Sequence, residues 1–346
     1  MKKVMKIILK SFSFIGIFLV ILLITVYSMG LLICYGPSEH AKNLFVTTFL
    51  ETGQMKFVVS LFMSKDEIQA VVDSNSMTTF DEEMDNSLIN IDNTDSSDIE
   101  LVEVSGNTYY GKMIIVKDPS RVKLATIYDG SWKEYGVTLD KLVNDNNAIA
   151  GINGGLYYSD SNKGGRPLGL VVRDGKIEYN NPSGLAGLYL IGFNEDNLLK
   201  IIDLNGKNAK AVEKIIKDEK IRDAVAFQEE SSDANNHFVK LIINGQSREF
   251  KGTGSGANPR TAIGQRADGT VLLLVTDGRG ANGHLGATAA DLIDIMEEYG
   301  AVNAANIDGG SSSSMYYDGK FEMTSVTLYY SNSSWRLPTG FIVEKR

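Results

Sequence analysis

Two aspartates in this sequence each stand at the end of an apolar run, followed by glycine. Asp277 closes Val271–Thr276 and opens Asp277-Gly278-Arg279, while Asp308 closes Val302–Ile307 and opens Asp308-Gly309-Gly310. Two carboxylates at one rim can divide acid and base work when their surroundings separate their pKa values. Asp-Gly is also a common turn pair, so the aspartates alone read equally as turns. Arg260 adds a cation. It lies in Asn258-Pro259-Arg260-Thr261-Ala262, just after the glycine-rich Gly252–Gly256. A guanidinium beside a loop rich in backbone N–H groups suits bidentate capture of a phosphate; the plainer reading is a surface salt bridge. Gly309, Gly310 and the serines from Ser311 offer further N–H donors, or simply a solvated loop. Asn153-Gly154-Gly155 ends another apolar run, Ile149–Ile152, and brings an amide to the same rim or only turns the chain.

The elements around these residues decide whether they meet. Thr288 with Asp291 three positions on is a helix start. Ala289, Leu292, Ile293, Ile295, Met296 and Tyr299 then share one helical face, Asp294, Glu297 and Glu298 the other, and Gly300 suits the end. Strand–helix–strand crossovers give parallel strands, whose carboxyl ends share one sheet edge, where open α/β sheets bind ligands. That places Asp277 and Asp308 at one rim. Upstream, short apolar runs recur at Lys112–Val116, Val122–Ile127, Ala148–Ile152, Leu168–Val172, Leu188–Ile191 and Val239–Ile243. Most end in Gly, Asn or Asp turns, and Arg173-Asp174-Gly175-Lys176 reads as a hairpin. No repeat of fixed period is present. The expected fold is mixed α/β or α+β: a mixed β-sheet core with a C-terminal strand–helix–strand unit, preceded by one transmembrane helix.

Composition bounds the function. The chain has 346 residues, 43% apolar and 22% charged, which is enough to bury a core in one large domain or two ordinary ones. A formal charge of −9 disfavours nucleic acid as a partner, because phosphate contacts need surplus Lys and Arg. The single cysteine, Cys34, excludes a disulfide framework or a cysteine zinc site within one chain. Three histidines (His40, His237, His284) are too few for a histidine-rich metal site. The N-terminus points to a membrane. Lys2, Lys3, Lys6 and Lys10 precede an uncharged stretch, Ser11–Ser38, longer than the ~20 apolar residues that a span needs. No short h-region with a small-x-small cleavage site is evident, and Ile33 before Cys34 argues against a lipoprotein signal. Cys34 itself reads as packing rather than acylation. The lysines put residues 1–10 in the cytoplasm, an uncleaved anchor over 11–37, and the rest outside the cell.

Residues 38–100 read as a stalk and acidic linker. Ser64 with Glu67 resembles a helix start. From Asp66 to Glu103 there are twelve acidic residues and no Lys or Arg, and 73–98 is rich in Ser, Asn and Thr, so this stretch is expected to be mobile. The catalytic part is then 101–346.

Asn153-Gly154-Gly155, Pro259–Gly264, Asp277-Gly278-Arg279 and Asn306–Ser312 occur in that order, and together they resemble the phosphodiester glycosidase family. The similarity covers roughly residues 101–346. It implies hydrolysis of a sugar-1-phosphodiester to free sugar and a phosphomonoester, with the Asn, Arg and Asp positions of those motifs lining the site. Two departures stand out. Gln228-Glu229-Glu230 replaces a Gly-Gly-Pro type turn, and His284 stands where Ser is often found, either as a proton donor or as an incidental loop residue.

On this reading Arg260, Thr261 and Arg279, with N–H groups of Gly154, Gly155, Gly309, Gly310 and Ser311, neutralise the phosphodiester. The phosphate then leaves with little protonation, and positive charge develops at the anomeric carbon. Asp308 is the candidate nucleophile or base, Asp277 the second carboxylate, and Asn153 and Asn306 bind sugar hydroxyls. No cofactor is required; a divalent metal bridging Asp277, Asp308 and phosphate is secondary, since no dense carboxylate cluster is evident. Outside the cell the substrate class would be glycosyl-phosphate of wall or exopolysaccharide. Two other classes stay open: a metal-dependent phosphodiesterase cutting P–O, and a non-catalytic surface module binding anionic glycans.

Overall fold

The protein is described here from a computed structural model, covering residues 2–91, 96–229, 231–232, 235–236, 238–327 and 332–346. His237, Glu230 and positions 92–95 of the acidic stretch lie outside the described residues. Helix α1 (Lys2–Tyr35) is long and apolar enough to cross a membrane. Helix α2 (Glu39–Leu50), a 3-10 turn (Gly53–Leu61) and helix α3 (Lys65–Ser74) follow. The Ser64–Glu67 capping box starts α3 as its sequence predicts.

The apolar runs become short strands. They begin with β1 (Ile99–Ser105), β2 (Tyr110–Val116), β3 (Val122–Thr126) and β4 (Ala148–Asn153). Then come β5 (Gly169–Arg173), β6 (Lys176–Asn181), β7 (Leu188–Asn194), β8 (Leu199–Asp203) and β9 (Ile221–Gln228). A two-residue hairpin, β10 (Ser231–Ser232) and β11 (Asn235–Asn236), precedes β12 (Lys240–Ile243), β13 (Gln246–Ser247), β14 (Thr261–Arg266) and β15 (Val271–Thr276). The last are β16 (Ala301–Ile307), β17 (Met315–Tyr317), β18 (Lys320–Met323) and β19 (Thr339–Glu344). Helices α4 (Leu139–Asp145), α5 (Ala209–Asp218) and α6 (Ala289–Glu298) are interspersed. The hairpin read at residues 173–176 joins β5 to β6, with Asp174 and Gly175 both at positive φ.

Besides the β10-β11 hairpin, the described residues form three sheets: β1-β2-β15-β14-β16-β12-β13, β18-β17-β4-β19-β3 and β6-β5-β9-β7-β8. Their inner faces share one core, with Ile114, Ile263, Val275 and Ile307 from the first, Leu124, Ile152 and Phe341 from the second, and Val171, Phe193 and Val225 from the third. Each outer face is covered by one helix: α6 on the first, α4 on the second, α5 on the third. Strands covered on both sides need no alternation, so all six residues of β15 are buried. The mixed sheet core and the β15–α6–β16 unit match the expected fold. Strands β15 and β16 are parallel but not neighbours, because β14 pairs antiparallel with both.

The segment expected to be a mobile linker lies along this core where it is described. Met77 bridges Phe250, Thr78 N–H donates to Glu249 O (3.0 Å), and Asn90 N–H to Ala267 O (2.8 Å). Lys240 Nζ donates to the carbonyls of Phe80 (3.1 Å) and Glu82 (2.9 Å). Phe80 and Met84 pack on the shared core. Acidic composition misled here: the carboxylates of residues 81–85 face water while the backbone and the apolar Met77, Phe80, Met84 and Ile89 make the contact.

Candidate active site

Strand β14 enters the sheet where β15 and β16 leave it, since Thr261 pairs with both Val275 and Ile307. Arg260, Asp277 and Asp308 therefore share one edge. With β14 between them, the Asp277 and Asp308 backbones stand about 10 Å apart, two strand spacings. Strand β4 from the second sheet ends at the same place. Asn153 Nδ2 donates to Asp308 O (2.6 Å), and its Oδ1 accepts from Thr261 Oγ1 (2.8 Å) and Ser314 N–H (3.3 Å). Thr261 Oγ1 also reaches Ser313 Oγ at 3.2 Å. Asn153 thus ties the two sheets together beneath Asp308, and both ends of its carboxamide are occupied. The amides of Gly154 and Gly155 are also taken, by Thr339 O (3.2 Å) and Thr339 Oγ1 (3.3 Å). A Cβ on Gly155 would come within 2.5 Å of Val225, so glycine is what lets this turn pass the third sheet.

Asp308 keeps some solvent contact at the rim. Burial is the largest influence on its carboxyl and pushes the pKa up to about 7, against opposing hydrogen bonds from Ser312 and the Gly309 N–H and the charge of Arg279. Tyr157 Oη and Ser312 Oγ lie 2.9 Å apart under this carboxyl. Burial, and then the charge of Asp308, hold the Tyr157 hydroxyl well above its ordinary pKa, so it stays a neutral phenol. Arg279, at positive φ, donates from Nη1 to Ser311 Oγ (2.9 Å). Its side chain is solvent-accessible, yet desolvation in the crowded rim and then the charge of Arg260 lower its pKa. A Cβ on Gly310 would lie 2.7 Å from Arg279 Nη2. The Gly310 N–H donates to Pro259 O (2.8 Å).

Asp277 is turned elsewhere. Its Oδ1 accepts from Tyr110 N–H (2.9 Å) and its Oδ2 meets His284 Nδ1 (2.7 Å), while its own N–H donates to Tyr110 O (2.8 Å). The aspartate and histidine close the ends of the 277–286 loop, which carries Arg279. Asn306 Nδ2 donates to Phe238 O (2.9 Å), and its buried Oδ1 has no hydrogen-bond partner among the described residues.

Arg260 is buried under the N-terminal helices. Its Nη2 donates to Glu51 Oε2 (2.6 Å), Gly256 O (2.7 Å) and Ser255 Oγ (3.2 Å), its Nε to Ala287 O (3.3 Å), and its guanidinium lies 5.1 Å over the Phe238 ring. The Glu51 carboxylate also accepts from Gly256 N–H (2.7 Å) and Asn258 Nδ2 (3.3 Å), and its side chain is 2% exposed. The anion-binding loop read from the sequence therefore already holds an anion, supplied by the protein. Sequence reasoning missed both Glu51 and Tyr157. Glu51 sits in a segment read as stalk, and nothing in the Tyr157-Tyr158 pair marks which ring turns inward. Among the described residues no group of three or more His, Cys, Asp or Glu is arranged to hold a metal ion.

The phosphodiester glycosidase family model matches residues 146–344. The SPbeta prophage-derived uncharacterized protein YomE of Bacillus subtilis is 28% identical over 162 residues, which are 45% of this chain and 23% of that protein. This chain thus aligns with under a quarter of that relative. The catalytic domain of the zebrafish N-acetylglucosamine-1-phosphodiester alpha-N-acetylglucosaminidase, auto-inhibited by its pro-peptide, superposes with a TM-score of 0.53 at 18% identity. The overlap covers 72% of this chain and 83% of that domain, a likeness of fold.

Proposed function

Because the chain belongs to the phosphodiester glycosidase family, we propose that it hydrolyses the bond between the anomeric carbon and the phosphodiester oxygen of a sugar-1-phosphodiester. Water supplies the new C–O bond, and the phosphomonoester leaves with the electron pair of the broken one. The observation that carries this reading is Asp308: a carboxyl whose pKa is raised to about 7, facing the Arg279–Ser311 pair at one rim. A base poised near neutrality can take a proton from attacking water at the anomeric carbon, or attack it directly. Arg279 meets the phosphate, helped by Ser311, whereas the Gly309 and Gly310 amides are taken by Asp308 and Pro259 O. Asn153 and Thr261 hold Asp308 in place. Asp277 orients His284 and with it the loop bearing Arg279, and His284 is the candidate donor of a proton to the leaving phosphate.

Arg260 takes part only if Glu51 withdraws. The zebrafish domain is held inactive by its pro-peptide, and a carboxylate from the segment preceding this domain supports a comparable brake here. The lysines before α1 and its apolar length support an anchored chain with the domain outside the cell, where wall or exopolysaccharide glycosyl-phosphates are the substrate class.

The full-length protein in detergent, incubated with an N-acetylglucosamine-1-phosphodiester in oxygen-18 water, tests the reaction. Label in the free sugar, unaffected by EDTA and lost in Asp308→Asn, is the expected outcome. Sugar-1-phosphate as product, abolished by EDTA, would instead assign P–O cleavage by a metal-dependent phosphodiesterase. Glycan binding that survives Asp308→Asn with no turnover across a panel of diesters would assign a binding module.

A further inference from the structure

The chain doubles back on α1 as soon as it leaves it. The Phe62 ring stacks on Tyr27 at 5.3 Å between centroids, and a Cβ on Gly30 would come within 2.3 Å of that ring. Gly30 is therefore the gap that admits Phe62. Tyr35 Oη donates to Phe62 O at 2.9 Å. Tyr27 lies eight residues before Tyr35, about 12 Å down the helix axis at 1.5 Å per residue. Phe62 thus sits alongside the apolar stretch, not beyond its end.

The preceding 3-10 turn has two faces. Val59 is fully buried with Cys34, Val46 and Leu50, whereas Met55, Phe57 and Leu61 are 42%, 59% and 56% exposed. They extend the bare surface of α1, where Met29 and Leu32 are 58% and 68% exposed. The residues from 53 to 61 include no acidic side chain and a single lysine, Lys56. Water is a poor solvent for three large apolar side chains on one short turn, and the turn satisfies much of its backbone internally, as a lipid environment demands.

We propose that residues 53–62 lie in the outer leaflet, at the boundary of headgroups and acyl chains, as a second membrane contact continuous with α1. The proposal rests on the reading of α1 as a membrane anchor. Interfacial segments sit about 5–10 Å into that boundary, comparable with the depth of Phe62 along α1. The domain is then seated against the bilayer rather than held off it.

The test uses the full-length chain in nanodiscs of phosphatidylcholine and phosphatidylglycerol, in a Cys34→Ala background. An environment-sensitive fluorophore is attached in turn to Phe57→Cys, Leu61→Cys, Phe18→Cys within α1, and Lys133→Cys on the exposed domain surface. Probes at 57 and 61 are expected to emit blue-shifted light and to be quenched by nitroxide lipids, as at 18, while the probe at 133 is not. A lipid-quenched probe at 18 with water-like emission at 57 and 61 would overturn the proposal and leave the anchor intact. Blue-shifted emission at 57 and 61 without lipid quenching would overturn it in favour of a second copy covering the patch. Water-like emission at 18 would remove the anchor reading and the proposal with it.

Discussion

Asp308 and Glu51 are the two carboxylates on which most turns, and only one is marked in the sequence. Asp308 follows an apolar run and opens a glycine turn, which places it at a strand end, but its raised pKa comes from neighbours far apart in the chain. Asp308→Asn is expected to lower kcat/KM about 10²–10⁴-fold, the usual contribution of a general base. Because burial holds the ionised form back until about pH 7, kcat/KM should rise with pH through that value. A profile flat from pH 5 to 8 would remove Asp308 from the role of base or nucleophile. Glu51→Gln separates the two readings of the Glu51–Arg260 pair. A brake predicts several-fold higher kcat/KM and a measurable affinity for inorganic phosphate; a purely structural pair predicts a lower Tm and no gain. Arg260→Ala should cost about 3–5 kcal/mol of stability, read by denaturant unfolding, because it strands the buried Glu51 carboxylate. Nothing in residue types distinguishes an arginine waiting for phosphate from one already paired across two hundred positions.

At the scale of elements the sequence was more legible. The Thr288–Asp291 capping box forms as read, with Thr288 Oγ1 accepting from Asp291 N–H at 3.2 Å and Asp291 Oδ2 accepting from Thr288 N–H at 2.7 Å. Leu292, Ile293, Ile295 and Met296 are buried on the face that periodicity assigns. Local patterns are enough for a helix because its hydrogen bonds are local. They do not say which strands meet, so the insertion of β14 between β15 and β16, and with it the separation of Asp277 from Asp308, was beyond reach. The Asp308-Gly309-Gly310 turn shows how backbone shape serves the site. Gly310 has φ +62 and lies against the Arg279 guanidinium. Gly310→Ala costs roughly 1–2 kcal/mol for the left-handed backbone and displaces Arg279. The expected signature is a higher KM for the phosphodiester, with weaker phosphate inhibition, at nearly unchanged secondary structure by circular dichroism.

For the whole molecule, described residues between α2 and Ile91 pack on the sheet core. A soluble fragment of residues 37–346 should therefore unfold at higher urea than one of residues 100–346, which loses Glu51 from Arg260 and Phe80 and Met84 from the core. Equal midpoints would show that residues 37–99 add nothing. The position of β19 has a different consequence. It lies between β3 and β4, with Val343 paired to both Val122 and Ala150. The sheet that positions Asn153 thus closes only around a strand far along the chain from both of its neighbours. Such long-range pairing meets its loop-closure entropy before any contact rewards it, so the rim around Asn153 is expected to be among the last parts of the fold to form.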